Sequence, residues 1–435
     1  RRGWVLPTLA VAAVMGVALG RFALAGGDSA PPAPVRAAGG GAQVAISDLQ
    51  TRLGATPDDP GLLTRLGEAY LLRARETADP SWFTKAGQAL ERSQALAPDR
   101  PATLTGLGLL ALSRHEFSAA LDLGLRAHEL DPASAQPLGV VVDAQVELGR
   151  YHEATETAQK MLDRRPSLAS LSRASYLREL HGDVPGAITA MTQAAIAGAG
   201  SAAADVAYVE TLLGDLHLGA GALPEAEGAY RRALGRADSP AAEVGLARVA
   251  GARGDLAGAA VLLEEATGRL PQPAWLALLG DVYAALDRPA DAAAQYDLVR
   301  RVEDLNRANG VAVDLELARF EADHARDPGA DAPGAVAMAR AALASRPTIF
   351  GEDTLAWALR QAGQPAEALV HAQAAVRLGT ADALLWYHLA AIEADLGRLD
   401  DARTHLTRAV SLNPHLSVRD LPEARDLAAR LGVSA

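Results

Sequence analysis

The chain has 435 residues with a net charge of −12, 49% hydrophobic residues, 4% aromatics and no cysteine. Without cysteine there are no disulfides, thiolate metal sites or thiol nucleophiles. An acidic surface with only two lysines, Lys85 and Lys160, against thirty-nine arginines repels nucleic acid and anionic lipid headgroups. Alanine, leucine, glycine and arginine dominate and β-branched residues are sparse, so intrinsic preference predicts an all-α fold.

The first predicted element is membrane-related. Arg1-Arg2 precedes an uncharged run from Gly3 to Gly20, followed by Arg21 and then the polar Gly26-Gly27-Asp28. Eighteen helical residues cover about 27 Å against a hydrocarbon core of about 30 Å, so the segment spans if Arg21 snorkels to the interface. Basic residues on its N-terminal side predict that residues 1 and 2 stay in the cytoplasm and that everything after the segment is exported. Ala23-Leu24-Ala25 also fits the small-x-small pattern of a cleavage site. Residues 1–25 therefore read as a signal anchor in the cytoplasmic membrane, or as a signal peptide whose removal after Ala25 secretes the protein. Residues 26–41, with Pro31, Pro32, Pro34 and Gly39-Gly40-Gly41, read as a flexible tether.

From residue 42 to 435 the chain repeats one pattern at close to 34 residues. An apolar pair lies about four residues into a first helix, a short turn follows, an alanine sits one turn into a second helix, and a proline ends the unit. Leu96-Ala97-Pro98, Leu130-Asp131-Pro132, Arg164-Arg165-Pro166, Arg269-Leu270-Pro271, Ser345-Arg346-Pro347 and Leu412-Asn413-Pro414 mark the ends. Leu66-Gly67 with Tyr70, Leu107-Gly108 with Ala111, Leu213-Gly214 with His217 and Leu279-Gly280 with Tyr283 occupy the first helix. Ala120, Ala154, Ala187, Ala226, Ala259, Ala292, Ala368 and Ala402 occupy the close-contact position of the second. Gly149, Gly182, Gly254, Gly363 and Gly397 fall where the first helix ends, as left-handed caps. Residues 42–56 read as a lone helix covering the first unit and Leu421 to Leu431 as one covering the last. The first unit carries extra residues around Arg73 to Ser81. An insertion covers Ala197 to Ala204, and the stretch from Asp291 to Pro333 is long enough to extend two helices.

Over residues 61–414 this pattern resembles the tetratricopeptide-repeat family, of the bacterial exported or membrane-anchored type. The resemblance implies a right-handed superhelical α-solenoid of about ten helix pairs with a C-terminal capping helix. The units around Thr354-Leu355-Ala356-Trp357 and Leu385-Trp386-Tyr387-His388 look like exported bacterial repeat proteins, which adds placement rather than chemistry.

Catalytic motifs are missing from this sequence. Thr84 and Gln159 precede the two lysines, so no phosphate-binding Gly-Lys loop exists. His128-Glu129 and His152-Glu153 lack the second histidine of a zinc-peptidase helix, and no Gly-x-Ser-x-Gly elbow occurs. Asp323-His324 with Asp327 comes nearest to a metal-ligand cluster, but it borders a Pro-Gly loop where aspartates are ordinary helix-end residues. The expectation is no enzyme activity, no cofactor and no metal.

The resemblance further implies that first helices line a concave groove. Counting in the repeat frame puts Asp143, Glu147, Tyr176, Asp215, Arg248, Asp281, Trp357, Arg360, Tyr387 and Asp395 on it. Neither lysine falls there, which argues against the carboxylate clamp of chaperone-binding members. Carboxylates with Tyr176, Trp357 and Tyr387 suit a basic or mixed apolar client, helical or extended. The expected function is an extracytoplasmic protein-binding scaffold that assists assembly of an envelope complex. A structural self-associating component, a homo-oligomer, is one alternative. An accessory subunit of a membrane enzyme or transporter is another, as is a carrier similar to the membrane-anchored repeat proteins of cytochrome c maturation.

Overall fold

The computed structural model of the protein describes residues 41–312, 314–324 and 328–434. Both N-terminal expectations, the span at 1–25 and most of the tether at 26–41, lie outside the described residues. Among those described, all regular structure is helical, and no helix is long and apolar enough to cross a membrane.

Helix α1 (Gly41–Ala55) packs on α2, and then antiparallel pairs follow without interruption. They are α2 (Pro60–Thr77) with α3 (Ser81–Leu96), α4 (Pro101–Ser113) with α5 (Phe117–Leu130), and α6 (Gln136–Glu147) with α7 (Tyr151–Arg164). Next come α8 (Leu168–Leu180) with α9 (Val184–Ala197), α10 (Ala203–Gly219) with α11 (Leu223–Arg236), and α12 (Pro240–Ala252) with α13 (Leu256–Arg269). The C-terminal pairs are α14 (Pro273–Ala285) with α15 (Pro289–Ala308), α16 (Asp314–His324) with α17 (Pro328–Ser345), α18 (Ile349–Gln361) with α19 (Pro365–Ala375), and α20 (Ala383–Asp395) with α21 (Leu399–Leu412). Helix α22 (Leu421–Leu431) lies against α20 and α21. The long stretch after Asp291 is spent on α15, at 20 residues, and α17, at 18.

Sequence explains this packing residue by residue. The eight signature alanines are all buried, none above 3% exposure, because a larger side chain there would push apart the two helices of a pair. The first-helix glycines do related work. A Cβ on Gly214 would stand 2.4 Å from the Tyr230 ring, and one on Gly280 2.3 Å from Tyr296, so each glycine seats an aromatic of the second helix. Turn glycines 149, 182, 254, 363 and 397 have φ between 68° and 84°. His115 and Asp287 take the same left-handed conformation at the equivalent turns without being glycine.

The solenoid coils back onto itself. Ala312 N–H donates to the Arg114 carbonyl at 3.2 Å, and the Ile349 N–H to the Tyr151 hydroxyl at 2.9 Å. Arg346 pairs with Glu147, and Asn413 Nδ2 donates to the Leu218 carbonyl at 3.0 Å. Separations along the chain are 199 for Arg346 with Glu147, 198 for Ile349 with Tyr151 and 195 for Asn413 with Leu218, so one coil takes about six helix pairs. In each contact a loop between pairs, from the second coil, sits on a turn within a pair, from the first. The apolar core crosses this seam as well. Val142, Val146 and Tyr151 share a cluster with Ile349 and Leu385, and Ala78 shares one with Leu276 and Val299.

Candidate functional site

First helices of successive pairs lie side by side on the inner wall, and their polar side chains join into a ladder. Asp143 on α6 receives a two-pronged contact from Arg173 on α8, at 2.8 and 2.7 Å, with both side chains 4% exposed. Asp215 on α10 accepts from the Tyr230 hydroxyl at 2.8 Å and from Arg248 on α12 at 3.2 Å. Asp281 on α14 accepts from Tyr296 at 2.9 Å and lies 2.7 Å from His324 Nε2 on α16. Arg319 on α16 donates to Asp353 on α18 at 2.7 Å, and Asp353 also contacts His388 Nδ1 on α20 at 2.7 Å. Arg360 on α18 reaches Asp395 on α20 and Glu423 on α22, each at 2.7 Å.

Several sequence-derived groove positions are corrected by this geometry. Trp357 and Tyr387 are fully buried, and neither offers a flat face to a partner. The Trp357 indole donates to Asp323 at 2.7 Å and stacks on His388 at 3.9 Å between ring centres. Asp143 and Glu147 are buried too, the first beneath Arg173 and the second under Arg346 at the seam. Arg360 and Asp395 are each other's partners, as are Asp215 and Arg248. The physical reason is curvature. A coil of about six pairs draws first helices close, and a side chain one repeat away reaches across before solvent does.

Tyr176, Asp215, Arg248 and Asp281 do line an open space, a cavity of about 660 Å³ along the inner wall. Its walls carry eight carboxylates (Glu179, Asp215, Asp281, Glu303, Glu316, Asp323, Asp353 and Asp382) against three guanidiniums (Arg248, Arg319 and Arg346) and no lysine. Leu278, Phe350, Leu384 and Leu416 supply apolar wall.

Charge states in this wall follow from burial and partners. Burial pushes the Asp323 carboxyl up, but Arg319 and Arg419 outweigh it and hold it at about 2. Burial likewise opposes ionisation of Glu316, and Arg346 with His115 brings it down to about 2. Glu303 goes the other way. Its burial prevails over a hydrogen bond from Asn306 and, helped by the negative Glu316, raises it to about 7. The cavity wall thus holds Glu316 and Asp323 ionised beside their cations, while burial raises the carboxyls of Glu303 and Asp382.

No group of His, Asp or Glu among the described residues is arranged to hold a metal ion. Asp323 and His324 have different partners, Trp357 and Asp281, and Asp327 lies outside the described residues. Sequence reasoning did not place Arg319, Asp323, Arg346 and Asp353 on the inner wall, which they hold together. For Arg319 and Asp353 the signal was an arginine and an acid on first helices about one repeat apart.

None of the curated proteins compared matches the chain significantly. Among solved structures, a tetratricopeptide repeat protein from Parabacteroides merdae is 14% identical, with a TM-score of 0.41 over 53% of this chain and 87% of its own. The Cut9–Hcn1 hetero-tetramer of the APC/C is 14% identical, with a TM-score of 0.40 over 90% of this chain and 93% of its own. Yeast Tom70 is 12% identical, with a TM-score of 0.35 over 86% and 95%. The tetratricopeptide-repeat profile matches residues 181–242, 244–304 and 354–417. Over those stretches the chain is similar to the tetratricopeptide-repeat family, and helix pairs, signature alanines and left-handed glycine turns continue the same repeat in register beyond them.

Proposed function

We propose that this chain is a protein-binding scaffold whose inner cavity holds an extended, basic or mixed apolar segment of a client. Residues 1–25 tether it to the cytoplasmic membrane with the repeats outside, where it serves assembly of an envelope complex. The observation that carries the client's chemistry is the wall of eight carboxylates and three guanidiniums around apolar Leu278, Phe350 and Leu384. Such a concave, low-dielectric wall with an excess of carboxylates over guanidiniums concentrates cations and speeds their encounter. Cavity size favours an extended segment over a helix. A helix with side chains is about 10 Å wide, so about 660 Å³ holds about one and a half turns of it.

The test is crosslinking recovery from native membranes with the full chain beside a Glu179→Gln/Asp215→Asn variant. The expected result is a client retained by the first and released by the second, with recovery falling as salt rises. Equal recovery by both, or recovery of the chain alone, would sink the cavity reading. Placement of the repeats is tested by adding protease to intact spheroplasts. Digestion supports export, and protection until lysis overturns it.

A further inference from the structure

We infer that residues 413–420 are a built-in occupant of the concave site, and that the client is an extended segment of the same chemistry that takes the place of this strap. The inference rests on the reading of the cavity as a binding site. The strap joins α21 to α22, and it is longer than a helix-to-helix connection here requires. Residues 165–167, 237–239 and 270–272 connect equivalent helices with three residues and residues 376–382 with seven, whereas this connection uses eight. Pro414 stops α21 from continuing; Asn413 is extended, the chain bends at Pro414, and residues 418–420 turn into α22.

The first end is pinned to the preceding coil, where buried Asn413 donates to the Leu218 carbonyl, and the second closes on itself at the start of α22, where the N–H of buried Asp420 donates to Ser417 Oγ at 3.0 Å. Between these pins the strap lies against the inner wall as a bound peptide would. Leu416 forms part of the cavity wall. Val418 packs against the cluster that holds Val244, Ala247 and Val282 of α12 and α14. Arg419 stands 3.0 Å from Asp323 Oδ1 and donates to the Asp323 carbonyl at 3.1 Å. Leu416, Val418 and Arg419 are only half-buried, which suits a displaceable contact better than a core element.

An aliphatic side chain beside a cation is therefore what this wall already accommodates, and charge complementarity selects the same class of partner. Tethering sets the competition. A segment held by short connections has an effective concentration on the order of millimolar, so a free peptide of the same sequence competes with a strap that already occupies these wall contacts beside the open cavity. Release of the strap unmasks them.

Because the chain has no cysteine, one engineered pair can report on the strap cleanly. A Cβ on Gly251 would lie 3.2 Å from Val418 Cγ2, which places positions 251 and 418 within reach of a disulfide. The experiment uses the full chain and a fluorescent synthetic peptide with the sequence of residues 413–420. Three proteins are compared: the native chain, a Val418→Ser/Arg419→Ser variant that keeps the Asn413 and Asp420 pins, and a Gly251→Cys/Val418→Cys variant, oxidised and reduced. The serine variant should bind the peptide at least about tenfold more tightly than the native chain, and oxidation of the cysteine pair should abolish binding that reduction restores. If the folded serine variant binds no better than the native chain, the strap is only a connector and the inference falls. If the serine variant does not fold, equal peptide binding by the oxidised and reduced cysteine pair overturns it instead. The two readings fail separately. A client that depends on Glu179 and Asp215 yet is captured equally by the oxidised and reduced pair leaves the cavity reading standing and removes the strap.

Discussion

Replacing Gly149 by alanine should weaken the protein far more than replacing Gly363, although both glycines end a first helix at nearly the same φ, 68° and 71°. At either position an alanine bears the left-handed backbone penalty of about 1 kcal/mol. At Gly363 that is all, since no atom lies within 4 Å of the added Cβ. At Gly149 the Cβ would stand 2.3 Å from the Pro347 carbonyl oxygen, a backbone atom of the next coil that cannot rotate away. The seam must part or the turn must move, adding about 1–3 kcal/mol of overpacking strain. Urea denaturation followed by far-ultraviolet circular dichroism gives the comparison, with small-angle scattering to follow coil spacing. Expected are a loss of about 1 kcal/mol for Gly363→Ala and about 3 kcal/mol with an expanded particle for Gly149→Ala. Gly182→Ala should follow Gly149→Ala, because its Cβ would meet the Gly379 oxygen at 2.4 Å. Equal losses at Gly149 and Gly363, with unchanged scattering, would refute a closed seam.

Two further outcomes follow from the inner wall. Arg346→Met leaves Glu147 and Glu316 without their shared cation in a buried setting, and should cost about 3–5 kcal/mol in the same denaturation assay. Adding Glu147→Gln should recover part of that loss, and purely additive losses would show that the two side chains act independently. For Glu303 the folded state favours the protonated form, with the carboxyl raised from 4.5 to about 7. The folded chain then binds more protons than the unfolded one between those values, so stability falls as pH rises through that window and is fully restored below it. Glu303→Gln should therefore match the native chain near pH 4 and exceed it near pH 8, by up to about 3 kcal/mol. A difference independent of pH would remove the argument.

How far the sequence could be read depended on how far each residue's partner lay along the chain. Ala226 and Gly214 were legible because their partners, including Tyr230, lie within the same repeat unit, and the 34-residue frame fixes such neighbours. Asp215 with Arg248, and Arg360 with Asp395, were half legible. The frame placed each of the four on the inner wall but could not say that a partner one repeat away would occupy it. Arg346 with Glu147 was not legible at all. Their meeting depends on the small rotation each pair adds to the last, accumulated over about six pairs, and no local residue pattern encodes that sum.

The same accumulation bears on how function is to be sought. In an open solenoid each unit touches only its neighbours, and a substitution acts locally. Here Tyr151 supports Ile349, Leu218 holds Asn413, and Arg346 joins Glu147 to Glu316. A change in a loop between pairs thus reaches the turn one coil away, and through it the first helices that form the cavity. Asn413 makes the link concrete. It is both a seam contact and the first residue of the strap, so the coil spacing and the strap's position on the concave wall cannot vary independently. A client that displaces the strap must therefore either leave the Asn413–Leu218 contact intact, sliding the strap from Leu416 onward, or loosen the last seam contact as it enters.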